Sequence, residues 1–211
     1  MPWMVQIRLL ETAIEQFGLY GFDGTSTREI ARASGTAMSS ITYHFGGKEG
    51  LFLAAADHIA SQVHENLEPL RAHAEEQAAS ATRAEVVELL LTMLDAFARM
   101  MLRPESEAWA RFIAREQQQP TKAFERLYAG AMKAITDTFI LLVGRARGDL
   151  AEDERRAMAV LLVGQALILR VGRASVCRAL GKETLGEAEG ALLRERLRKN
   201  AMCILAEGND E

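Results

Sequence analysis

Apolar residues recur every three or four positions along most of the chain, and strict alternation of apolar and polar residues is nearly absent. This spacing is typical of amphipathic α-helices and argues against β-strands. The first stripe, formed by Ile7, Leu10, Ile14 and Phe17, stops at the glycines of residues 18–21. Because glycine readily takes the left-handed conformation that caps a helix, we predict the end of the first helix there.

Shorter helical segments follow the first one. Ser26 and Glu29 have the spacing of a capping box, which predicts the start of a second helix that Gly35 ends. Residues 38–45 form a third segment, and a fourth begins after the glycine-rich stretch at residues 46–50.

The pattern changes after the fourth helix. We expect Pro69 to end that helix, because proline lacks the N–H group that an uninterrupted helix needs. A polar stretch rich in Ala and Glu, residues 71–82, is interpreted as a connection. Longer and more apolar helices follow it, the last two at about residues 152–173 and 186–206.

The chain is therefore predicted to be all-α, with about nine helices in two domains. Residues 1–66 would form a small helical domain and residues 67–211 a larger helical bundle. The composition agrees with globular folding, since 49% of the residues are hydrophobic and 26% are charged. The two cysteines, Cys177 and Cys203, are not placed at metal-ligand spacing and are predicted to be reduced thiols.

Residues 27–46, "TREIARASGTAMSSITYHFG", have the spacing of a helix-turn-helix. Two short helices that meet at a steep angle need a small residue at the crossing, a residue tolerant of positive φ in the turn, and a branched apolar residue that anchors the second helix. Ala31, Gly35 and Ile41 meet these three needs, and Ile30 and Phe45 would add to the core.

The residues around these anchors are predicted to contact DNA. Short hydroxyls and an alanine methyl allow a helix to approach base edges in a major groove, and cationic or polar groups at helix starts suit phosphates. The predicted contact residues are Thr27, Arg28, Thr36, Ala37, Ser39, Ser40, Thr42, Tyr43, His44 and Lys48. The alternative is a solvent-exposed polar helix without a partner.

The charge of the chain does not favour nucleic-acid binding. The formal net charge is −4, and residues 1–63 hold four basic and six acidic side chains. However, Arg28, Arg32 and Lys48 cluster around the predicted motif, whereas Glu11 and Glu15 lie on the first helix. Affinity from phosphate contacts depends on where the charges face, so the total does not exclude DNA binding.

Residues 3–66 resemble the DNA-binding domain of the TetR family of bacterial transcription regulators. The likeness lies in "ETAIEQFGLYGFDGTSTREIARASG", in the recognition helix "SSITYHF" and in "GGKEGLF". It implies a homodimer whose two recognition helices enter successive major grooves of a palindromic operator, and a C-terminal domain that binds a small molecule. Many members have tyrosine where this chain has Thr42, so a contact there is not carried over from them.

The C-terminal part resembles the CecR branch of that family, in "RFIAREQQQPTKAFERLYAGAM" and "LLVGQALILRVGRASVCRALGKE". "ITYHFGGKE" fits the same branch, and there Thr42 is no departure. Flexible methionines and aromatic rings suit apolar effectors, whereas ordinary core packing is the alternative for the same residues. The pocket is predicted to be lined by Phe97, Met101, Trp109, Phe112, Arg115, Tyr128, Phe139 and Gln165.

Residues 158–171 are apolar nearly all round, so this helix must be covered on two sides. We predict that its own bundle covers one side and a second subunit the other, in a dimer built from the last two helices. The alternative is a central helix in a monomeric bundle, in which Gln165 and Arg170 would need internal partners. The run is too short to span a bilayer, and the N-terminus lacks the features of a signal peptide, so the protein is predicted to be cytoplasmic without a membrane partner.

The sequence thus predicts a DNA-binding transcription regulator, most often a ligand-responsive repressor by family likeness, and no cofactor or metal. A ligand would shift the population towards a conformer with misplaced heads, through a tilt of the fourth helix. Two alternatives stay open: a helical binding module that has lost DNA binding, and a bundle enzyme or metalloprotein on residues 83–207. No nucleophile–base pair, P-loop or GxGxxG supports the enzyme.

Overall fold

Residues 2–206 are described by the computed structural model of the protein, and no β-strand occurs among them. They form ten helices, in agreement with the all-α prediction. The helices are α1 (Pro2–Gly24), α2 (Thr27–Ala33), α3 (Met38–Phe45), α4 (Lys48–Ala78), α5 (Arg83–Leu102), α6 (Ser106–Gln118), α7 (Lys122–Ala146), α8 (Glu152–Val171), α9 (Arg173–Ala179) and α10 (Glu187–Ala206).

The structure has, among the described residues, one helix more than the nine that the sequence predicts. The additional helix is the short α9, which the apolar pattern does not separate from the loop around Gly181. Gly172 ends α8, and α9 leaves it at an angle of 82°. The bend leaves little room for a side chain at Gly172, since a Cβ there would lie 2.5 Å from Cδ1 of Ile168. α1 bends where its end is predicted, at Gly21, whose φ of 74° only glycine adopts readily.

The expected end of α4 at Pro69 is wrong, and so is the connection at residues 71–82, because the helix continues to Ala78. Pro69 is exposed, so its missing N–H leaves no buried group without a partner. The guanidinium of Arg71 forms ion pairs with Glu68, at 2.7 Å, and with Glu75. Such pairs three and four residues apart each stabilise a helix by about 0.2–0.5 kcal/mol, which holds the turns around the proline.

The helices pack as two compact units, and the first comprises, among the described residues, 2–64 and 107–132. Its core is built around the buried side chains of Ile14, Phe17, Phe52 and Phe112. The ring of Phe52 contacts those of Phe17 and Phe112, at centroid distances of 4.9 and 5.0 Å. A π-helical turn at Tyr128–Met132 interrupts α7 in this unit. Gly130 lies in that turn, and a Cβ there would lie only 2.8 Å from Cβ of Ala60 on α4.

The second unit comprises residues 65–106 and 133–211, of which the structure describes those up to 206. Within it α5 is the central helix and packs against α8, α10 and the C-terminal part of α7. Arg170 of α8 is buried and donates from Nε to the carbonyl oxygen of Met101 at 2.8 Å and from Nη2 to that of Arg103. The guanidinium therefore caps the C-terminal end of α5. The functional division at residues 66 and 67 stays a prediction.

By length and composition α7 could cross a membrane, as could the bent pair α8 and α9 taken as one span. Core helices of soluble proteins often have the same composition. In the second unit, Ile135, Phe139, Leu142 and Val143 of α7 are buried. Their burial accounts for the apolar composition of this part of α7 by packing within the protein.

A buried guanidinium in the second unit predicts a pH effect on stability. Arg147 donates to both carboxylate oxygens of Asp149, at 2.9 and 2.7 Å, and this hydrogen bonding lowers the pKa of Asp149 from 3.8 to about 2. A lowered pKa stabilises the fold fully above the unfolded value, and that contribution disappears as the pH falls through the folded value.

The Asp149→Asn variant is therefore expected to be less stable than the wild type at pH 6, with a difference that narrows below about pH 4. Urea unfolding of both proteins between pH 6 and pH 3 measures this difference. A gap that stays constant over this range would show that ionisation of Asp149 does not contribute.

Candidate nucleic-acid interface

α2 and α3 are held together by the three anchors that the sequence predicts. Ala31 and Ile41 are buried at 3% and 1% exposure, and Gly35 has a φ of 64° in the turn between the helices. Ile30 is also fully buried, whereas Phe45 is only half-buried and adds less to the core than expected. The glycine is required because a φ near +64° is strained for most other residues.

Hydrogen bonds of side chains within the turn also stabilise the conformation of the turn. The contribution of Ser34 is not predicted from the spacing. Ser34 is buried and its Oγ lies 3.1 Å from the carbonyl oxygen of Ala31, to which it donates, and 3.0 Å from Oγ1 of Thr36. The backbone N–H of Thr36 also donates to the carbonyl of Ala31 at 2.9 Å. Thr36, a predicted DNA contact, thus uses its hydroxyl to hold the turn.

The remaining predicted contacts lie on the outer face of the motif. Ala37, Ser39, Thr42 and Tyr43 are exposed, the last of them at 84%, and Ser40 and His44 are half-buried. Ala37 is the N-cap residue of α3 and offers no side-chain acceptor. The N–H groups at the start of α3 can therefore bind an external anion such as a phosphate.

Cationic and hydroxyl groups flank this face. Ser26 caps α2, as predicted, but its hydroxyl accepts the N–H of Arg28 and not that of Glu29. Arg28 is exposed, and Thr27 is half-buried at the first position of α2. Lys48 begins α4, with its ammonium 4.6 Å from the ring centroid of Phe22.

A hydrogen bond between distant residues of the chain links α1 to the recognition helix. The amide nitrogen of Gln6 lies 3.0 Å from Nδ1 of His44, and both side chains are half-buried. Sequence reasoning misses Gln6, because its position on α1 carries no local signal for a partner 38 residues away. His44 is therefore oriented by α1 as well as by its own helix.

Three glycines shape the connection from α3 to α4. Gly46 ends α3 with a φ of 73°, and Gly47 follows with a φ of 119°. Gly50 lies in the first turn of α4, where a Cβ would overlap the carbonyl oxygen of Phe45. In the segment "GGKEG" the backbone of α4 at Gly50 therefore lies close to the last residue of α3, and the glycines set where α3 ends.

The predicted effector-pocket residues are divided between the two units. Trp109, Phe112, Arg115 and Tyr128 lie in the first unit, whereas Phe97, Met101, Phe139 and Gln165 lie in the second. The first unit contains an open cavity of about 510 Å³, and Phe112 and Arg115 are among its lining residues. Phe97, Met101 and Phe139 are buried, while Tyr128 is 42% exposed.

The polar run that begins at Arg115 closes helix ends within the first unit. Arg115 donates from Nε to the carbonyl oxygen of Gly18 at 2.8 Å and from Nη2 to that of Leu19 at 2.5 Å. Glu116 is buried, and its carboxylate accepts the N–H groups of Thr121 and Phe124 at 3.2 and 3.0 Å. These two side chains therefore tie α6 to the kinked end of α1 and to the start of α7. Among the described residues no group of His, Cys, Asp and Glu is placed to hold a metal ion.

Two short helices, α2 and α3, pack on a small core and are joined by a turn that contains glycine. The polar face of α3 is exposed. This arrangement defines a helix-turn-helix protein. The family model of the bacterial regulatory proteins of the TetR family matches residues 9–55. The model of the C-terminal domain of the HTH-type transcriptional dual regulator CecR matches residues 86–208. The chain belongs to the TetR family of DNA-binding transcription regulators, with a C-terminal domain of the CecR type, and this assignment gives it no enzymatic role.

Relatives agree with this assignment over different lengths. The transcriptional dual regulator CecR of Shigella flexneri is 30% identical over 201 residues, which cover 94% of this chain and 90% of that protein. The regulatory protein RaaS of Mycobacterium tuberculosis is 46% identical, but only over 56 residues, or 26% of each chain. Similarity is therefore continuous with the CecR protein and confined to one segment with RaaS.

Solved structures share the fold at low identity. A TetR transcriptional regulator from Chloroflexus aurantiacus has a TM-score of 0.63 at 21% identity and covers 98% of this chain and 96% of its own. AibR, solved in complex with isovaleryl coenzyme A and operator DNA, has a TM-score of 0.65 at 17% identity, with coverages of 95% and 97%. At these identities the likeness supports the fold alone.

Proposed function

We propose that the protein is a homodimeric repressor that binds a palindromic operator with α3 of each subunit and releases it when a small molecule binds. The observation that carries this proposal is the outer face of α3, where short polar side chains stand exposed above the buried Ile41. Such a surface suits the major groove, since small side chains let the helix backbone approach base edges closely.

The contacts divide into two kinds. Ala37, Ser39, Ser40 and Thr42 would face base edges, because their side chains are short and lie on α3. Phosphates would be bound from the flanks of this face, where longer or cationic groups reach the backbone of the duplex. The residues assigned to phosphates are Thr27, Arg28, Tyr43, His44 and Lys48, while Thr36 supports the turn.

The dimer is proposed to form through α8 and α10. Along α8, Ala159, Leu162, Ala166 and Leu169 are buried within the subunit. The opposite side of the helix is apolar too, and Gly164 lies in open space, since a Cβ added there would have no heavy atom within 4 Å. The exposed apolar residues of the two helices are Val160, Leu161, Leu167, Ile168, Val171, Leu192 and Met202. A patch of this kind on the last helices favours a second copy as the partner.

Control by an effector follows from differential affinity. A small molecule that binds better to a conformer with misplaced recognition helices lowers operator affinity by the ratio of its two affinities and by no more. The predicted pocket residues remain the candidates for its site, and Arg115 and Glu116 are already engaged in closing helix ends. The regulator would act in the cytoplasm, where its operator is accessible.

Selection of genomic DNA fragments by the purified protein, with affinity followed against salt, tests this function. We expect one palindrome, and we expect Arg28→Ala and Lys48→Ala each to weaken binding of the dimer by about a hundredfold or more, since a charged hydrogen bond contributes about 1.5–3 kcal/mol and each substitution removes one from both subunits. Each variant should also reduce the salt slope by about 2, since the dimer loses two phosphate contacts.

Arg99→Ala is the matched control, because Arg99 is an exposed arginine on α5 that pairs with Asp95. It removes one positive charge outside the motif and should leave affinity unchanged. No enrichment at low salt, without effector, would contradict the proposal. The protein would then be a helical binding module that keeps the motif for packing.

A further inference from the structure

The hydrogen bond between Gln6 and His44 carries an inference about how the recognition helix is prepared for DNA. The two residues lie on α1 and α3, and the amide Nε2 of Gln6 is 3.0 Å from Nδ1 of His44. An amide nitrogen only donates, so with the amide in this orientation Nδ1 is the acceptor and Nε2 carries the ring proton. The bond thus selects one tautomer and also one of the two orientations of the ring.

We propose that Gln6 is a positioning residue that holds His44 as a neutral Nε2–H donor for a phosphate oxygen of the operator. This inference rests on the proposed function, in which His44 contacts the DNA backbone. With Nδ1 occupied by α1, the remaining ring nitrogen lies on the far side of the imidazole, and among the described residues it has no hydrogen-bond partner, so it can donate to an external acceptor. A histidine without this bond would sample both ring orientations and would lose freedom on binding.

Neighbouring aromatic rings also restrict the rotation of the His44 imidazole. The ring of Tyr43 meets that of His44 edge to face at 4.9 Å, and the ring of Phe45 lies at 6.2 Å with an angle of 62°. These contacts limit how far the imidazole can swing, but they do not distinguish its two nitrogens. Within the described structure, the amide of Gln6 is the group that does so.

The first experiment reads the tautomer in the free protein. Two-bond ¹H–¹⁵N spectra of the full-length protein, labelled at histidine nitrogen, should show His44 with a protonated Nε2 and an unprotonated Nδ1; the His44→Ala variant assigns the signals. In Gln6→Met this preference should weaken, and in Gln6→Glu Nδ1 should become protonated, because a carboxylate only accepts hydrogen bonds. A wild-type ring protonated on Nδ1 would overturn the proposal.

The second experiment is a double-mutant cycle on the selected operator duplex. Gln6→Met should weaken binding by about fivefold in the wild type, and it should have no effect in the His44→Ala background if Gln6 acts through the imidazole. An equal loss in both backgrounds would mean that Gln6 contacts DNA itself and would overturn the positioning role. Gln16→Met, the same substitution at a half-buried position of α1, is the control and should change neither the tautomer nor the affinity.

The outcomes separate this inference from the proposed function. If no operator is recovered, the proposed function fails, whereas the spectra still decide whether Gln6 sets the tautomer. If His44→Ala binds like the wild type, the phosphate contact is absent and the proposal fails with it. If His44→Ala weakens binding and Gln6→Met does not, the contact exists but Gln6 does not position it.

Discussion

Replacing Leu161 by glutamate is expected to convert the proposed dimer into monomers and to abolish operator binding. Leu161 is 68% exposed in the single subunit and lies in the middle of the apolar side of α8. In a two-fold interface each substitution occurs twice, once in each subunit. We expect the dimer dissociation constant to rise by about a hundredfold or more, because burying an unpaired carboxylate costs several kcal/mol.

Loss of the dimer should remove DNA binding even though α3 is unchanged. A palindromic operator is bound by two recognition helices one helical turn apart, and a monomer can use only one half-site. Sedimentation velocity gives the oligomeric state, and fluorescence anisotropy with the selected duplex gives the affinity. Circular dichroism establishes that the variant is folded.

Leu141→Glu is the matched control for this prediction. Leu141 is an exposed leucine of the second unit, on α7, outside the proposed interface. It should remain dimeric and bind the operator. A Leu161→Glu protein that still sediments as a dimer would place the interface on another surface.

Local spacing predicts the helix-turn-helix because each of its requirements falls within twenty residues. Ala31 and Ile41 are buried, Gly35 makes the turn between their helices, and the predicted bounds of the third helix, residues 38–45, agree with α3. The apolar run at residues 158–171 is equally informative, since the structure has apolar side chains on both its buried and its exposed sides. Patterns of this kind depend only on the spacing of residues along the chain, so they can be recognised without knowledge of the fold.

What the sequence does not predict depends on partners far along the chain. Arg115 closes the end of α1 through carbonyl groups that lie 97 and 96 residues earlier, and Gln6 reaches His44 across 38 residues. No periodicity reports such pairs. The continuation of α4 past Pro69 also depends on the exposure of the proline, which becomes visible only in the folded chain.

The start of α5, in contrast, is marked by a local signal in the sequence. Thr82 and Glu85 form a reciprocal capping box, in which the carboxylate of Glu85 accepts the N–H of Thr82 at 2.7 Å. The spacing T-x-x-E marks the start of α5 at Arg83. It therefore marks where the connection between α4 and α5 ends, but not where α4 itself ends.

Replacing Gly50 by alanine is expected to disable the recognition helix from outside the motif. A Cβ at this position would overlap the carbonyl oxygen of Phe45 and lie 2.9 Å from its carbonyl carbon. Phe45 is the last residue of α3, and a backbone carbonyl has no rotamer by which to move aside. The end of α3 or the start of α4 must therefore shift.

We expect Gly50→Ala to lower the free energy of unfolding by about 3 kcal/mol, at the upper end of the usual cost of overpacking. Operator affinity should fall by more than the loss of folded protein explains, because α3 is displaced in the molecules that remain folded. The dimer, which is proposed to form through α8 and α10, should persist. Urea unfolding, sedimentation and operator binding measure these three quantities separately.

Gly46→Asn is the control in the same connection. The φ of Gly46, 73°, lies in the left-handed region that asparagine tolerates, and no heavy atom lies within 4 Å of the position that an added Cβ would take. This variant should unfold close to the wild type and bind the operator. If Gly50→Ala binds with wild-type affinity while Gly46→Asn does not, the left-handed glycine of the turn controls the placement of α3, and the close approach at Gly50 does not.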